Sequence, residues 1–600
     1  MRSLPMDRKV RIHLPALLGQ EDEKMNLCRE IPFEDGATYE DLAAPFMNET
    51  KAILLLARTG EDLHELGEPV AGEPVLGGPS DGEKLRNQVE REKLGGQAER
   101  EIQDITYLDT ADPAGQRAYM RTLAFLFIAA LDQCLPQSRA VIGHSISGGL
   151  YVQVREGEKK IIVDSRLRNQ CDRVMRRMIR ENRTIRRLEM SREEAAGFFR
   201  ARGREDKASL FPYQEKDPVS VYELDGSYDS FYGPMAPSAA YVGDFQLVLF
   251  DDGLVLMGLE PDSKKILRNF KPQPKLSYTY REEEAWAELQ GIHNVSDLNR
   301  LVQKGEIGDV VRMTEALQNH RIMEVAEEIN RKNKRLVLIA APSSSGKTSF
   351  AYKLSTHLQI MGWRPLKISM DDYFLGREET PLDKEGKKDY EGIGAIDLKK
   401  FNEDLTDLLA GKRVERIRYD FVEGRRVLTG KTDQLLLSSP LIIEGIHALN
   451  PRLISGIEDD LKFKIFLSVT TQIGLDDHNR ISTTDLRLLR RIARDKEARG
   501  ILPARTILNW PSVLKGERRN IFPFEEEADL LFNSAFIYEI AALKPIVYPE
   551  LMAIPKSDPA YGEARRLLDF LQYFVPMEDL SDIVNTSILR EFIGGSKIVG

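Results

Sequence analysis

Six hundred residues exceed what one hydrophobic core organises, so several domains are expected. At 42% hydrophobic and 30% charged the composition is that of an ordinary globular chain, and a formal net charge of −10 excludes a protein that coats polyanions over its whole surface. Three scattered cysteines, Cys28, Cys134 and Cys171, fit neither a disulfide framework nor a cysteine zinc site. No apolar run approaches the roughly 18 residues of a membrane span, and no apolar N-terminal core precedes a cleavage site. A soluble, cytoplasmic protein is expected.

In chain order, residues 8–18 alternate as a strand, Thr38–Met47 reads as a short helix and Ala52–Ala57 as a second strand. Together they make a small α+β module over residues 1–72. The Gly-, Pro- and charge-rich stretch that follows predicts a linker or insertion over 73–100. A second α+β domain is expected over 101–265, opening with the apolar helix Gln116–Leu135 and closing with strands Phe245–Phe250 and Leu254–Leu259. Residues 280–332 read as a charged helical connector. From 333 to 600 strands and helices alternate, the pattern of a parallel α/β sheet with flanking helices.

Inside that last region the apolar run Leu336–Ala340 leads straight into Ala341-Pro342-Ser343-Ser344-Ser345-Gly346-Lys347-Thr348, and an amphipathic stretch begins at Ser349. Buried strand, tight loop and helix start in this order make a P-loop. Its backbone N–H groups surround phosphate oxygens, its lysine reaches the β- and γ-phosphates, and its hydroxyl holds Mg²⁺. Pro342, Ser343, Ser344, Ser345, Gly346, Lys347, Thr348 and Ser349 are therefore the candidate nucleotide-binding residues. Ala341 stands where the motif usually begins with glycine, which a methyl group permits only if the backbone needs no positive φ there.

Phosphoryl transfer further needs a metal carboxylate, a base for the acceptor hydroxyl and positive charge on the moving group. The apolar strand within Ser438–Asn450 ends in Glu444-Gly445, which puts a carboxylate beside the loop for Mg²⁺, together with Thr348. Pro365–Phe374 is a second strand ending in Asp371, Asp372, Tyr373 and Phe374, a base and aromatic rings for a sugar or nucleobase. Arg487, Arg490, Arg491 and Arg494 form one basic face of a predicted helix, with Leu486 and Leu489 on the other side, and Arg499-Gly500 reads as the end of a lid.

Taken together, these motifs resemble the uridine kinase and phosphoribulokinase family, in its uridine–cytidine kinase branch, over about residues 335–540. The resemblance implies a P-loop NTPase sheet and selects Asp371 over Asp372 as the base, within Ser369-Met-Asp371-Asp-Tyr373-Phe374. Asp389-Tyr-Glu391 resembles the acidic stretch that holds ribose hydroxyls, with Glu391 in the binding position. Tyr419-Asp-Phe421 resembles the wall around the nucleobase, and Asn509 stands where the family carries a base-contacting amide. Arg491, Arg494 and Arg499 correspond to the lid. Where the family usually places a base-reading histidine, this chain has Gly424.

The front part resembles the N-terminal region of threonyl-tRNA synthetase, a ubiquitin-like TGS module followed by an editing domain, through Leu126–Pro136, Ile142-Gly143, Gly149-Leu-Tyr151 and Gly233-Pro234. At the four editing positions this chain carries Arg121, Phe125, Phe231 and Met235, so loss of editing is expected. His144 is a lone candidate for retained chemistry. Residues 166–187 are dense in arginine.

The resemblances imply an ATP- and Mg²⁺-dependent kinase that phosphorylates a nucleoside at its ribose 5′-hydroxyl, with no membrane partner and homo-oligomer formation left open. Two alternatives stand beside it: an RNA-binding or tRNA-modifying P-loop protein, and a kinase of another sugar-type molecule.

Overall fold

The computed structural model describes residues 8–15, 27–34, 36–70, 103–383, 386, 388–420, 423–436, 438–453 and 457–598. The expected linker at 73–100 and Phe421 lie outside the described residues. The chain divides into two compact units, Met1–Ala195 with Asp217–Lys271, and Ala196–Lys216 with Pro272–Gly600. Among the described residues no helix is long and apolar enough to cross a membrane.

In the first unit, β1 (Arg8–Leu14), β2 (Leu27–Phe33), β3 (Leu54–Thr59), β4 (Asp62–Glu65) and β5 (Gln103–Asp109) form one sheet in the order β2-β1-β5-β3-β4. Gln103–Asp109, expected to belong with the residues after 101, thus pairs with the strands before the Gly- and Pro-rich stretch. β5 pairs parallel with β1 and antiparallel with β3, and its Ile105 and Tyr107 complete a core with Val10, Ile12, Leu14 and Leu54. Over this core packs α1 (Tyr39–Ala43), started by a Thr38–Asp41 capping box that satisfies two N-terminal amides.

The long helix α2 (Pro113–Cys134) buries Phe125, Leu126 and Phe127 completely. It shares a core with strands of a second sheet, made of β6 (Arg139–Ile146), β7 (Gly149–Glu156), β8 (Lys159–Ile161), β12 (Gln246–Phe250) and β13 (Gly253–Met257). Between them in sequence come α3 (Ser165–Arg180) and a three-stranded sheet of β9 (Arg186–Met190), β10 (Val219–Leu224) and β11 (Ser227–Asp229).

After Ala196–Lys216 the second unit continues with the segment expected as a connector, which consists of α4 (Pro274–Leu289), α5 (Val295–Lys304) and α6 (Ile307–Arg331). Its sheet holds β14 (Leu336–Ala340), β15 (Leu366–Ser369), β18 (Leu441–Glu444), β19 (Lys462–Ser468) and β20 (Leu530–Asn533), all parallel, in the order β15-β18-β14-β19-β20. β14 is central and buried at every position, as a strand covered on both faces must be. The order reverses at β14, and crevices at such switch points, beyond the carboxyl ends of the strands, are where ligands bind in this architecture. Helices α7 (Lys347–Ile360), α8 (Leu398–Leu409), α9 (Thr483–Arg499), α10 (Pro503–Asn520), α11 (Glu539–Met552), α12 (Tyr561–Leu571) and α13 (Arg590–Ile593) complete the unit, with the hairpin β16 (Arg413–Asp420) and β17 (Arg425–Gln434).

Residues 196–216 are anchored in this unit by charge. The Lys207 ammonium lies 3.0 Å from Asp476, and both side chains are at most 1% exposed. All three tryptophans, Trp286, Trp363 and Trp510, lie in the second unit, so their fluorescence reports its unfolding alone. Lys207→Ala leaves a buried carboxylate without its cation, and we expect the unit to lose about 3 kcal/mol, read as a lower urea midpoint of tryptophan fluorescence. An unchanged midpoint would show that the pair contributes nothing.

Candidate functional site

The loop after β14 takes the shape its sequence predicts. Ser344 (φ 62°) and Gly346 (φ 76°) adopt left-handed backbone, and Lys347 starts α7. Ala341 is fully buried and is not among the residues of positive φ, so its methyl group costs nothing.

Charged side chains hold the loop from behind. The Ser343 N–H donates to Glu517 Oε1 at 2.8 Å, and Arg487 Nε donates to the Ser343 carbonyl at 3.0 Å while the guanidinium pairs with Glu517. Arg490 pairs with Glu539 and reaches the carbonyls of Ser344 at 3.3 Å and Ser534 at 2.8 Å. The Ser534 hydroxyl donates to the Ser345 carbonyl at 2.7 Å. The basic face of α9 thus meets the loop at two depths. Arg487 and Arg490 are buried, because the loop presents carbonyl oxygens that no strand or helix satisfies and water does not reach. Arg491 and Arg494 are the half-buried members. Arg491 Nη1 donates to Ser343 Oγ at 2.6 Å and its Nε to Asp495 at 2.5 Å, and Asp495 also takes Arg499 at 3.2 Å. α9 ends at Arg499 on a left-handed Gly500 cap.

The loop suits a polyphosphate. Among the described residues the buried Ser344 and Ser345 hydroxyls have no hydrogen-bond partner and Lys347 forms no ion pair. A Mg²⁺ ion also fits the residues present. Thr348 Oγ1 and Glu444 Oε1 are 3.4 Å apart, and Ser369 Oγ donates to the same carboxylate oxygen at 2.7 Å. Pairing of Ile339 and Ser369 with Glu444 across the sheet fixes this carboxylate at the strand ends. Among the described residues no group of three or more His, Cys, Asp or Glu side chains forms a metal cage. One carboxylate and one hydroxyl beside a phosphate loop are the ligands Mg²⁺ usually accepts.

Asp371 lies in the turn Met370–Tyr373 that follows β15. Its neighbour Asp372 has a structural duty, accepting the Tyr419 N–H at 3.2 Å. Asp371 instead adds its charge to the environment of both Glu391 and Glu444. Burial, then repulsion from Glu517, pushes Glu391 up to about 7, against the pull of Arg491 and Lys347. Burial, then Asp371, raises Glu444 above the ordinary carboxylate range, with Lys347 opposing. Lys347, Arg491 and the carboxylates 371, 391, 444 and 517 thus share one electrostatic neighbourhood. Close packing supports it, since a Cβ at Gly516 would lie 2.3 Å from Glu391 Cβ.

Two of the expected residues have other surroundings. Tyr373 faces the core, its hydroxyl donating to Asp404 at 3.1 Å and its ring centroid 5.1 Å from that of Phe401. Phe374, one residue on, meets Tyr419 edge-on at 5.9 Å, because the strand has already turned into a 3₁₀ helix and the alternation of faces is lost. Asn509 is exposed on α10, whereas Trp510 beside it is buried near Arg487. Gly424 turns with φ 69°, and a Cβ there would lie 2.3 Å from Arg377 Nε. Residues missed from sequence are Glu517 and Glu591, whose carboxylates reach the loop and α7 from 174 and 242 residues away. Ser369 stood inside the Ser-x-Asp motif and was legible there.

In the first unit the four positions aligned with an editing site converge, but as packing. Phe125 and Phe231 meet edge to face at 5.5 Å, Met235 shares their core, and Arg121 donates to the Pro234 carbonyl at 2.9 Å. The His144 ring stacks on Tyr151 at 5.0 Å.

Glu391 binds its proton more tightly folded than unfolded, where it titrates near 4.5. Its contribution to stability is full below about pH 4.5 and is lost as pH rises through about 7. The fluorescence-detected Tm is therefore expected to fall less steeply over that window in Glu391→Gln than in the parent chain. Parallel curves would refute the shift.

Residues 336–535 match the family model described as Phosphoribulokinase / Uridine kinase family. A uridine kinase of Ligilactobacillus salivarius is 28% identical over 204 residues, covering 34% of this chain and 86% of that protein. One of Macrococcus caseolyticus is 29% identical over 197 residues, covering 33% and 86%. A solved structure of a possible uridine kinase from Bacillus stearothermophilus covers 36% of this chain and 98% of that one at 17% identity, with a TM-score of 0.26. The second unit carries a phosphoribulokinase / uridine kinase family domain at residues 336–535.

Proposed function

We propose that the second unit is an ATP-dependent kinase that phosphorylates a hydroxyl of a nucleoside, with uridine or cytidine as the first candidates. The observation that carries this reading is the convergence of Lys347, Asp371, Glu391, Glu444 and Arg491 at the carboxyl end of the parallel sheet. Curated relatives named uridine kinase support the acceptor class.

In this reading the loop amides and Lys347 bind the donor phosphates, and Asp371 takes the proton from the acceptor 5′-hydroxyl as the phosphoryl group transfers. Glu391 holds the ribose hydroxyls. Tyr419 lines the base, while Tyr373 supports the turn from the core. Arg491, Arg494 and Arg499 place positive charge around the transferred group. Mg²⁺ held through Thr348 and Glu444 would neutralise phosphate charge. Arg377, crossing over Gly424, replaces a histidine on the acceptor side, which keeps other sugar-type acceptors in the screen.

A second reading, RNA binding by the first unit, has one observation in its favour. Arg166, Arg173 and Arg180 lie exposed on α3 without an ion pair among the described residues. Arg176, Arg183, Arg186 and Arg187 in the same stretch are already engaged by carboxylates.

Asp371→Asn is expected to lower phosphorylation by about 10³-fold while ATP affinity, measured by titration calorimetry, changes little. A coupled ADP-release screen over nucleosides, sugars and RNA identifies the acceptor. Unchanged turnover in the variant would remove Asp371 from the mechanism.

A further inference from the structure

The C-terminal segment lies outside the family-matched residues, yet it packs directly on the phosphate loop and its helix. Ile588 and Phe592 are fully buried. Ile588 sits so close to the loop that a Cβ at Gly346 would lie 2.4 Å from its Cγ2. The Phe592 ring lies 4.7 Å from the Arg490 guanidinium, and Lys353 of α7 donates to the Thr586 carbonyl at 3.2 Å.

Glu591 is the polar member of this segment. One carboxylate oxygen accepts from Ser349 Oγ at 2.7 Å, and the other lies 3.5 Å from Arg494 Nη1. The side chains of Arg494 and Glu591 are 16% and 9% exposed, so the guanidinium depends on a protein carboxylate for its balance of charge. Its other acidic neighbour, Asp495, is farther away at 3.9 Å and is shared with Arg491 and Arg499.

A carboxylate beside a phosphate loop works against phosphate binding by simple repulsion. Its placement makes sense through the arginine it holds. We propose that Glu591 is a positioning residue of the donor site, fixing Arg494 against the first turn of the P-loop helix. The C-terminal segment thereby completes a site that residues 336–535 do not hold alone. The inference rests on the reading of residues 341–349 as a donor site.

The test uses the full chain with Glu591→Gln, Glu591→Asp, Arg494→Ala and the Gln/Ala double variant. Two quantities are measured: the ratio of ATP to ADP affinity by calorimetry, and kcat and KM for ATP with the acceptor found in the screen. Glu591→Gln is expected to lower kcat by about tenfold or more, with KM moving less, and to narrow the ATP-to-ADP ratio. Neither effect should grow when it is added to Arg494→Ala, since residues acting through one group are not additive. Glu591→Asp, which keeps the charge, should recover much of the ratio even if Glu591→Gln lowers the Tm. Losses that multiply in the double variant, or equal losses for Asp and Gln, would overturn the positioning role. A parent chain that binds no ATP would instead overturn the donor-site reading, and the inference with it.

Discussion

Two guanidinium groups shut away from water hold the phosphate loop in place. A buried arginine is tolerated only with a carboxylate beside it and acceptors for its remaining N–H groups. Arg487 has Glu517 and the Ser343 carbonyl, and Arg490 has Glu539 with the carbonyls of Ser344 and Ser534. The same N–H groups satisfy carbonyls that the tight loop exposes on its inner side, so each group meets the other's need. Loop, α9, α10 and the start of α11 consequently form one unit, in which left-handed backbone at Ser344 is held by several contacts at once.

Glu517 extends this constraint across the site. It binds the Ser343 N–H on one side and repels Glu391 on the other. Gly516, its neighbour on α10, leaves the space that the Glu391 side chain fills. The phosphate loop and the acceptor-side carboxylate are therefore set by adjacent residues of a single helix. A shift of α10 would be felt by both.

What the sequence revealed follows from what is local. A buried strand, its loop and the following helix lie within fewer than 30 residues, and strand-end carboxylates such as Asp371 and Glu444 are positioned by the strand itself. Helical periodicity groups Arg487, Arg490, Arg491 and Arg494 but does not say which of them meet a loop and which meet a cleft. The adjacent rings of Tyr373 and Phe374 part company, one to Phe401 in the core and the other to Tyr419, because alternation stops where β15 becomes a 3₁₀ turn. The sheet partners of β5 lie beyond a long Gly- and Pro-rich segment, so no local pattern announces its pairing. Glu517 and Glu591 carry no local signal at all. Only the folded chain brings them to the loop.

Gly424 shows how such a long-range contact changes the reading of a single substitution. On the sequence it is a missing histidine. In the structure its N–H donates to the Asp420 carbonyl at 2.7 Å, its own carbonyl accepts the Arg377 N–H at 3.0 Å, and its φ is 69°. A histidine there would adopt a disfavoured left-handed backbone and would also meet Arg377, whose Nε lies 2.3 Å from the Cβ position. The glycine and the arginine are thus one feature, a turn whose missing side chain leaves room for another that crosses it. Restoring the histidine alone would remove that fit and gain no base-reading group in the right place. Position 424 has to be read together with 377.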